Sequence, residues 1–190
     1  MRAWLHLTTP LNPRRLPALL AEKHVQNATN LKTPTRLGND PVMQSVYEAA
    51  GGNEGLVRLA EAWHARVMAD EVVSHAFSHG FHPQHSERLA AYWAEALGGP
   101  RTYSERYGDE TTVVRIHSGN GPHEEMDQRA IDCFNQALED AGLTDEPLRQ
   151  VLHDYFAWAT TTTMSAYHHS ADDVPPGLSI PRWSWNGRQP

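Results

Sequence analysis

Four stretches in which apolar residues recur at intervals of three and four, each bounded by glycine or proline, constrain this chain more than any other feature. Such spacing lays one apolar stripe along a helix. Leu56, Leu59, Ala60, Trp63 and Val67 mark the first stretch, and Gly51-Gly52-Asn53 forms its entry turn. A second begins after Pro83, aligns Leu89, Tyr92, Trp93 and Ala96, and stops at Gly98-Gly99-Pro100. His85 lies four residues before Leu89 and shares its face. The third runs from about His123 to Ala141, with Met126, Ala130, Cys133, Phe134, Ala137 and Leu138 inward and Gly142 as its stop. The fourth spans roughly Asp145 to Tyr167, its stripe including Leu148, Val151, Leu152, Tyr155, Phe156 and Ala159. A strand-like run occurs only at Thr111-Thr112-Val113-Val114, which leads straight to His117. The expected fold is therefore all-α: two helix pairs, one on each side of an irregular segment around His117. A sandwich of that kind needs something in its middle.

The ends read differently from the centre. Residues 1–42 hold Pro10, Pro13, Pro17 and Pro34 without a sustained apolar period, apart from a short amphipathic stretch at Leu16 to Val25, and are expected to be an extension. Residues 43–170 form the domain. Residues 171–190 carry Pro175, Pro176, Gly177, Pro181 and Gly187 together with Leu178, Ile180, Trp183 and Trp185, so an extended segment that lays its tryptophans on the domain is expected. It has three destinations open to it: the edge of a cofactor, a second subunit in a homodimer, or the core itself. Sixteen Lys and Arg face 23 Asp and Glu, a net charge of −7, which argues against nucleic acid and anionic membranes as partners. No stretch is apolar enough for a membrane span or a signal peptide, and one cysteine, Cys133, allows no intrachain disulfide; cytoplasmic location is the expectation. Cys133 itself reads as a small buried hydrophobe.

By spacing alone His117 is one histidine among twelve, and an exposed loop residue would look the same. Three segments add to it. Tyr47-Glu48-Ala49-Ala50-Gly51-Gly52 opens the domain, Asp70-Glu71-Val72 closes the first long helix, and Gly98-Gly99-Pro100-Arg101-Thr102-Tyr103-Ser104-Glu105 precedes His117. Taken together these resemble the truncated globins, and among them the group II members, over about residues 43 to 168. The resemblance implies a two-over-two helical sandwich around one haem b (iron protoporphyrin IX), with His117 as the proximal iron ligand. It further implies that Val113 and Ile116 line the porphyrin beside His117, and that the distal pocket comprises His64, Phe77, His85, Leu89 and Ala130. Tyr92 and Trp93 would line the haem or the core, and Tyr103 and Arg115 would reach its propionates.

The chain departs from that family at two positions. A tyrosine usually stands where His64 does, and group II members carry a tryptophan at the position of Ala130. Both customary donors are thus replaced, which leaves a roomier pocket with two imidazoles. A neutral His85 or His64 can donate to bound dioxygen, a bond contributing ~1–3 kcal/mol in a dry pocket, or move a proton on peroxide. The expected function is binding of oxygen, nitric oxide or peroxide with oxidoreductase chemistry, peroxidase-like or directed at nitric oxide; His85 and His64 are its catalytic candidates. No flavin or nicotinamide motif is present, so nitric oxide chemistry would draw on a separate reductase. The competing reading is a non-catalytic oxygen carrier or gas sensor. A third ignores the family: His75, His79, His82 and His85 at spacings of four, three and three suggest a zinc or nickel site, although Gly80 and Pro83 interrupt any helix carrying them.

Overall fold

The computed structural model describes residues 44–78 and 80–190. The extension expected at 1–42, with its short helix, lies outside them. Seven α-helices follow in order: α1 (Val46–Ala49), α2 (Gly52–Ala69), α3 (His85–Ala96), α4 (Thr102–Arg106), α5 (Glu110–Ile116), α6 (Glu124–Asp140) and α7 (Glu146–Trp158). The four long ones are α2, α3, α6 and α7. Helix α2 packs on α3 and on α6, and α6 packs on α7, which gives the two-over-two sandwich expected from the apolar stripes.

Local chemistry sets the ends of these helices. Ser45 and Glu48 form a reciprocal capping box at α1, the Ser45 hydroxyl accepting from Glu48 N at 3.1 Å and the Glu48 carboxylate accepting from Ser45 N at 2.8 Å. Gly51, with φ of +87°, makes the left-handed turn between α1 and α2 that the paired glycines announced. Asp145 caps α7 by accepting from Leu148 N, and Pro147 occupies its first turn. The apolar stripes then meet in one core, in which Phe134 stacks on Phe156 at 4.1 Å and Trp93 meets both rings edge-on.

Two segments differ from expectation. Thr111–Val114, read as extended, lies within α5, because Asp109 accepts from Thr112 N at 2.8 Å and nucleates a helical turn that overrides the β-branched run. The last long helix ends at Trp158 rather than near Tyr167, and the chain continues as a wider π turn over Ala159–Met164. Four successive threonines explain the change: they are stiff at χ1, and Thr161 donates back to the Ala157 carbonyl at 2.8 Å.

The carboxy-terminal residues return over α3, α5 and α7. Val174, Ile180 and Trp183 are buried, and Trp183 packs against Tyr155 and Trp158. Arg188 stacks over Trp158, and the short pair β1 (Trp183–Ser184) and β2 (Gly187–Arg188) closes the segment as a hairpin that sequence periodicity did not announce. The segment also grips α5. Thr111 donates to the Pro175 carbonyl and its hydroxyl oxygen accepts from Leu178 N, while Arg115 donates to the Val174 carbonyl.

Candidate functional site

Asp70, at the end of α2, accepts from Val72 N and Val73 N at 2.8 and 2.9 Å and is held by Arg129 at 3.4 Å. That turn starts the 3-10 helix Val73–Phe77 and carries Phe77 back over α2. Pro83 then precedes α3, whose first residue is His85. Four rings gather as a result. His64 lies 5.3 Å from Phe77, 4.5 Å from Phe81 and 5.0 Å from His85, centroid to centroid, and Phe77 lies 5.3 Å from His85.

Both imidazoles in this cluster are buried at Nδ1 with no hydrogen-bond partner there among the described residues. Burial lowers the pKa of His64. It lowers that of His85 further, to about 4, with positive charge on His64, His117 and His82 adding to the effect. His85 is therefore a neutral ring at ordinary pH. Ala130 lies on α6, where its carbonyl accepts from the Trp63 indole at 3.2 Å, so the small side chain at this position comes with an indole anchored beside it from α2.

His117 is the C-cap of α5. Its Nδ1 lies 2.8 Å from the Val113 carbonyl. A carbonyl only accepts, so the proton of the neutral ring sits on Nδ1 and the lone pair on Nε2 is left to a metal. Burial lowers the pKa of His117, against the Val113 bond, although the residue keeps exposed surface. The loop after it is fixed from the far end of the domain, with Gly119 N donating to the Tyr167 carbonyl and Gly121 N to the His168 carbonyl.

The remaining candidates divide. Leu89 is half-buried against the core, Val113 is buried, and Ile116 is 71% exposed. Trp93 belongs to the aromatic core between Trp63, Phe134 and Phe156. Tyr92 donates to Glu110 at 2.8 Å in a buried pair, Tyr103 packs edge-on against Tyr92 at 5.3 Å, and Arg115 is turned to the Val174 carbonyl. Tyr92 and Tyr103 thus pack on each other, while Arg115 bonds the carboxy-terminal segment. The reading missed Phe81. It lies in a turn between Gly80 and Pro83, where no period marks it, and its 48% exposure in an aromatic cluster shows only in three dimensions. Among the described residues no three His, Cys, Asp or Glu gather to hold a metal ion on their own, which removes the support for a zinc or nickel site; His79 lies outside them.

Compared with known proteins, residues 45–163 match the model of the family described as bacterial-like globin. The chain belongs to that family. This globin is 28% identical over 108 residues to a group 1 truncated hemoglobin, GlbN, of Mycolicibacterium paratuberculosis, covering 57% of this chain and 76% of the relative. Solved hemoglobins from Chloroflexus aurantiacus and Thermobifida fusca are each 30% identical with TM-scores of 0.55; they match 64% and 65% of this chain and 98% of their own. A group II truncated hemoglobin from Bacillus anthracis, 20% identical with a TM-score of 0.55 over 63% of this chain and 95% of its own, shares the fold.

This globin accordingly has haem as its cofactor and binds a small gas ligand such as oxygen. The residues present fit the group. A neutral imidazole with Nε2 free, a buried apolar wall at Val113, and apolar surface left open at Ile116 and Phe81 are what a flat, largely apolar iron porphyrin requires. No helix among the described residues is long and apolar enough to cross a membrane.

Proposed function

We propose that this globin performs oxidoreductase chemistry on peroxide, or on nitric oxide and oxygen, with His117 as the proximal ligand and His85 and His64 handling protons on the opposite face. The observation that carries this reading is the pair of half-buried imidazoles 5.0 Å apart, each with a buried Nδ1 that has no partner among the described residues. When bound, haem supplies an iron that takes a diatomic gas or peroxide on its free axial side and changes oxidation state.

The chain's own residues do the rest. His117, oriented by the Val113 carbonyl, would present Nε2 to the metal, with Val113 and Ile116 as apolar neighbours for the porphyrin. His85, neutral because burial disfavours its cation, has one nitrogen free to accept and one N–H to donate. It would take a proton from one oxygen of hydrogen peroxide and return it to the other, a role that contributes roughly 100-fold or more to rate. His64 donates to the same ligand from α2. Phe77 and Phe81 pack edge-on against the pair and reduce its contact with water, which strengthens each bond made there. Electrons for nitric oxide dioxygenation come from a separate reductase.

Turnover of hydrogen peroxide with a phenolic donor tests the proposal. His85→Ala is expected to lower kcat/KM by about 100-fold while haem content is unchanged. Oxygen binding without any peroxide or nitric oxide turnover would sink it. The closeness of the two free imidazoles also favours a second reading, a carrier or sensor in which His64 or His85 closes on the iron until gas displaces it; a low-spin ferric absorption spectrum that His64→Ala or His85→Ala converts to high spin would select that reading.

A further inference from the structure

Away from the histidines, a crevice of about 370 Å³ lies between α3, α4, the start of α5 and the carboxy-terminal segment. Glu110 stands in its wall and is 2% exposed. One carboxylate oxygen, Oε2, accepts from the Tyr92 hydroxyl at 2.8 Å; the other, Oε1, is buried and has no partner among the described residues. The Tyr155 hydroxyl, on a residue also 2% exposed, is likewise unpartnered, and it lies near enough to Glu110 for that charge to raise its pKa further after burial. Buried carboxylate and phenol oxygens are nearly always hydrogen-bonded, so this wall asks for a donor.

The rim asks for the opposite. Glu95 is already engaged, accepting from Ser104 N at 3.0 Å and from its hydroxyl at 2.8 Å, with Arg101 at 3.6 Å. Arg182 gives one N–H to the Glu95 carbonyl. A guanidinium carries five N–H donors, so Arg101, with a side chain 68% exposed, and Arg182 both keep donors for an acceptor in the crevice.

We propose that this crevice is a second ligand site, built for a small zwitterion: an amino carboxylic acid whose ammonium group bonds Glu110 Oε1 and whose carboxylate bonds Arg101 and Arg182. A cation alone would leave the arginines unused, and an anion alone would leave Glu110 unpaired. Burial holds the Glu110 carboxyl up at about 7, as expected of an acid lacking a cationic partner. The carboxy-terminal segment, through Leu178 and Arg182, roofs the site.

Calorimetric titration of the full-length, haem-loaded protein tests this with glycine, γ-aminobutyrate and ε-aminocaproate, against butylammonium and butyrate as carriers of one charge each. At least one amino acid should bind saturably, one per chain, while the single-charge controls do not. Glu110→Gln, and separately the double change of Arg101→Gln with Arg182→Gln, should each weaken binding about tenfold or more. The two arginines are exposed, so their variant decides the matter even where Glu110→Gln fails to fold. Absence of saturable binding by all three amino acids, equal binding by a control, or unchanged affinity in the arginine variant overturns the proposal, as does a crystal grown with the binder whose crevice holds water alone. Because heat of binding is the readout, these outcomes leave the haem chemistry above untouched.

Discussion

Replacing His117 by glycine tests its proposed role as iron ligand while leaving the Asp109 cap of α5 in place. The expected outcome is a folded protein that loses haem on gel filtration and regains its absorption band when imidazole is added; a variant that keeps haem with an unchanged spectrum would refute the proximal role. Two other residues set opposite slopes of stability against pH. His85 titrates near 6.5 unfolded and about 4 folded. The unfolded chain binds more protons in that interval, so the stability His85 contributes is full above about 6.5 and is lost as pH falls towards about 4. Glu110 is raised from 4.5 to about 7, so its contribution is present below 4.5 and lost as pH rises through about 7. Urea midpoints across pH should show the acid slope flattened in His85→Leu and the alkaline slope flattened in Glu110→Gln. Of these residues the sequence made His117 and His85 legible, one through its flanking motifs and one through its place on the Leu89 face. Glu110 was not legible, because an acid in a helix's first turn ordinarily faces water and only the returning carboxy-terminal segment buries it.

The elements were legible where burial is one-sided. An amphipathic stripe forecasts α2, α3, α6 and α7 because each must hide one face and wet the other, and their ends followed from Gly51, Gly98 and Gly142. Thr111–Val114 misled because intrinsic preference and tertiary context disagree there, and the Asp109 cap wins. The two most telling motifs turn out to be neighbours in space: Tyr47 N donates to the Leu97 carbonyl at 3.0 Å, and a Cβ on Gly99 would come within 2.7 Å of the Tyr47 ring and 2.8 Å of the Ala94 carbonyl. Glycine stands at 99 because α1 crosses the end of α3 without room for a side chain. Gly99→Ala is therefore expected to cost about 1–3 kcal/mol, read as a lower urea midpoint with an unchanged slope. Tyr47→Ala in the same background should recover part of the loss, since it clears the ring from the clash.

At the scale of the molecule, the carboxy-terminal residues that follow the globin match are part of the fold. Val174, Ile180 and Trp183 are buried, and each fully buried side chain of this kind contributes about 1.5–3 kcal/mol. Ending the chain after Asp173 is expected to lower stability by several kcal/mol on that scale and to raise haem loss, measured by transfer to an apo-globin acceptor. Equal stability with and without residues 174–190 would show the segment to be an ornament. The same segment ties down the helix that bears His117, through bonds spanning 59, 64 and 67 residues of sequence. A ribosome makes chain from the amino end, so α5 leaves it before those partners do. If His117 holds the iron as proposed, its helix gains these outside supports only after residues 174–178 are made, so firm haem capture is expected to follow their synthesis.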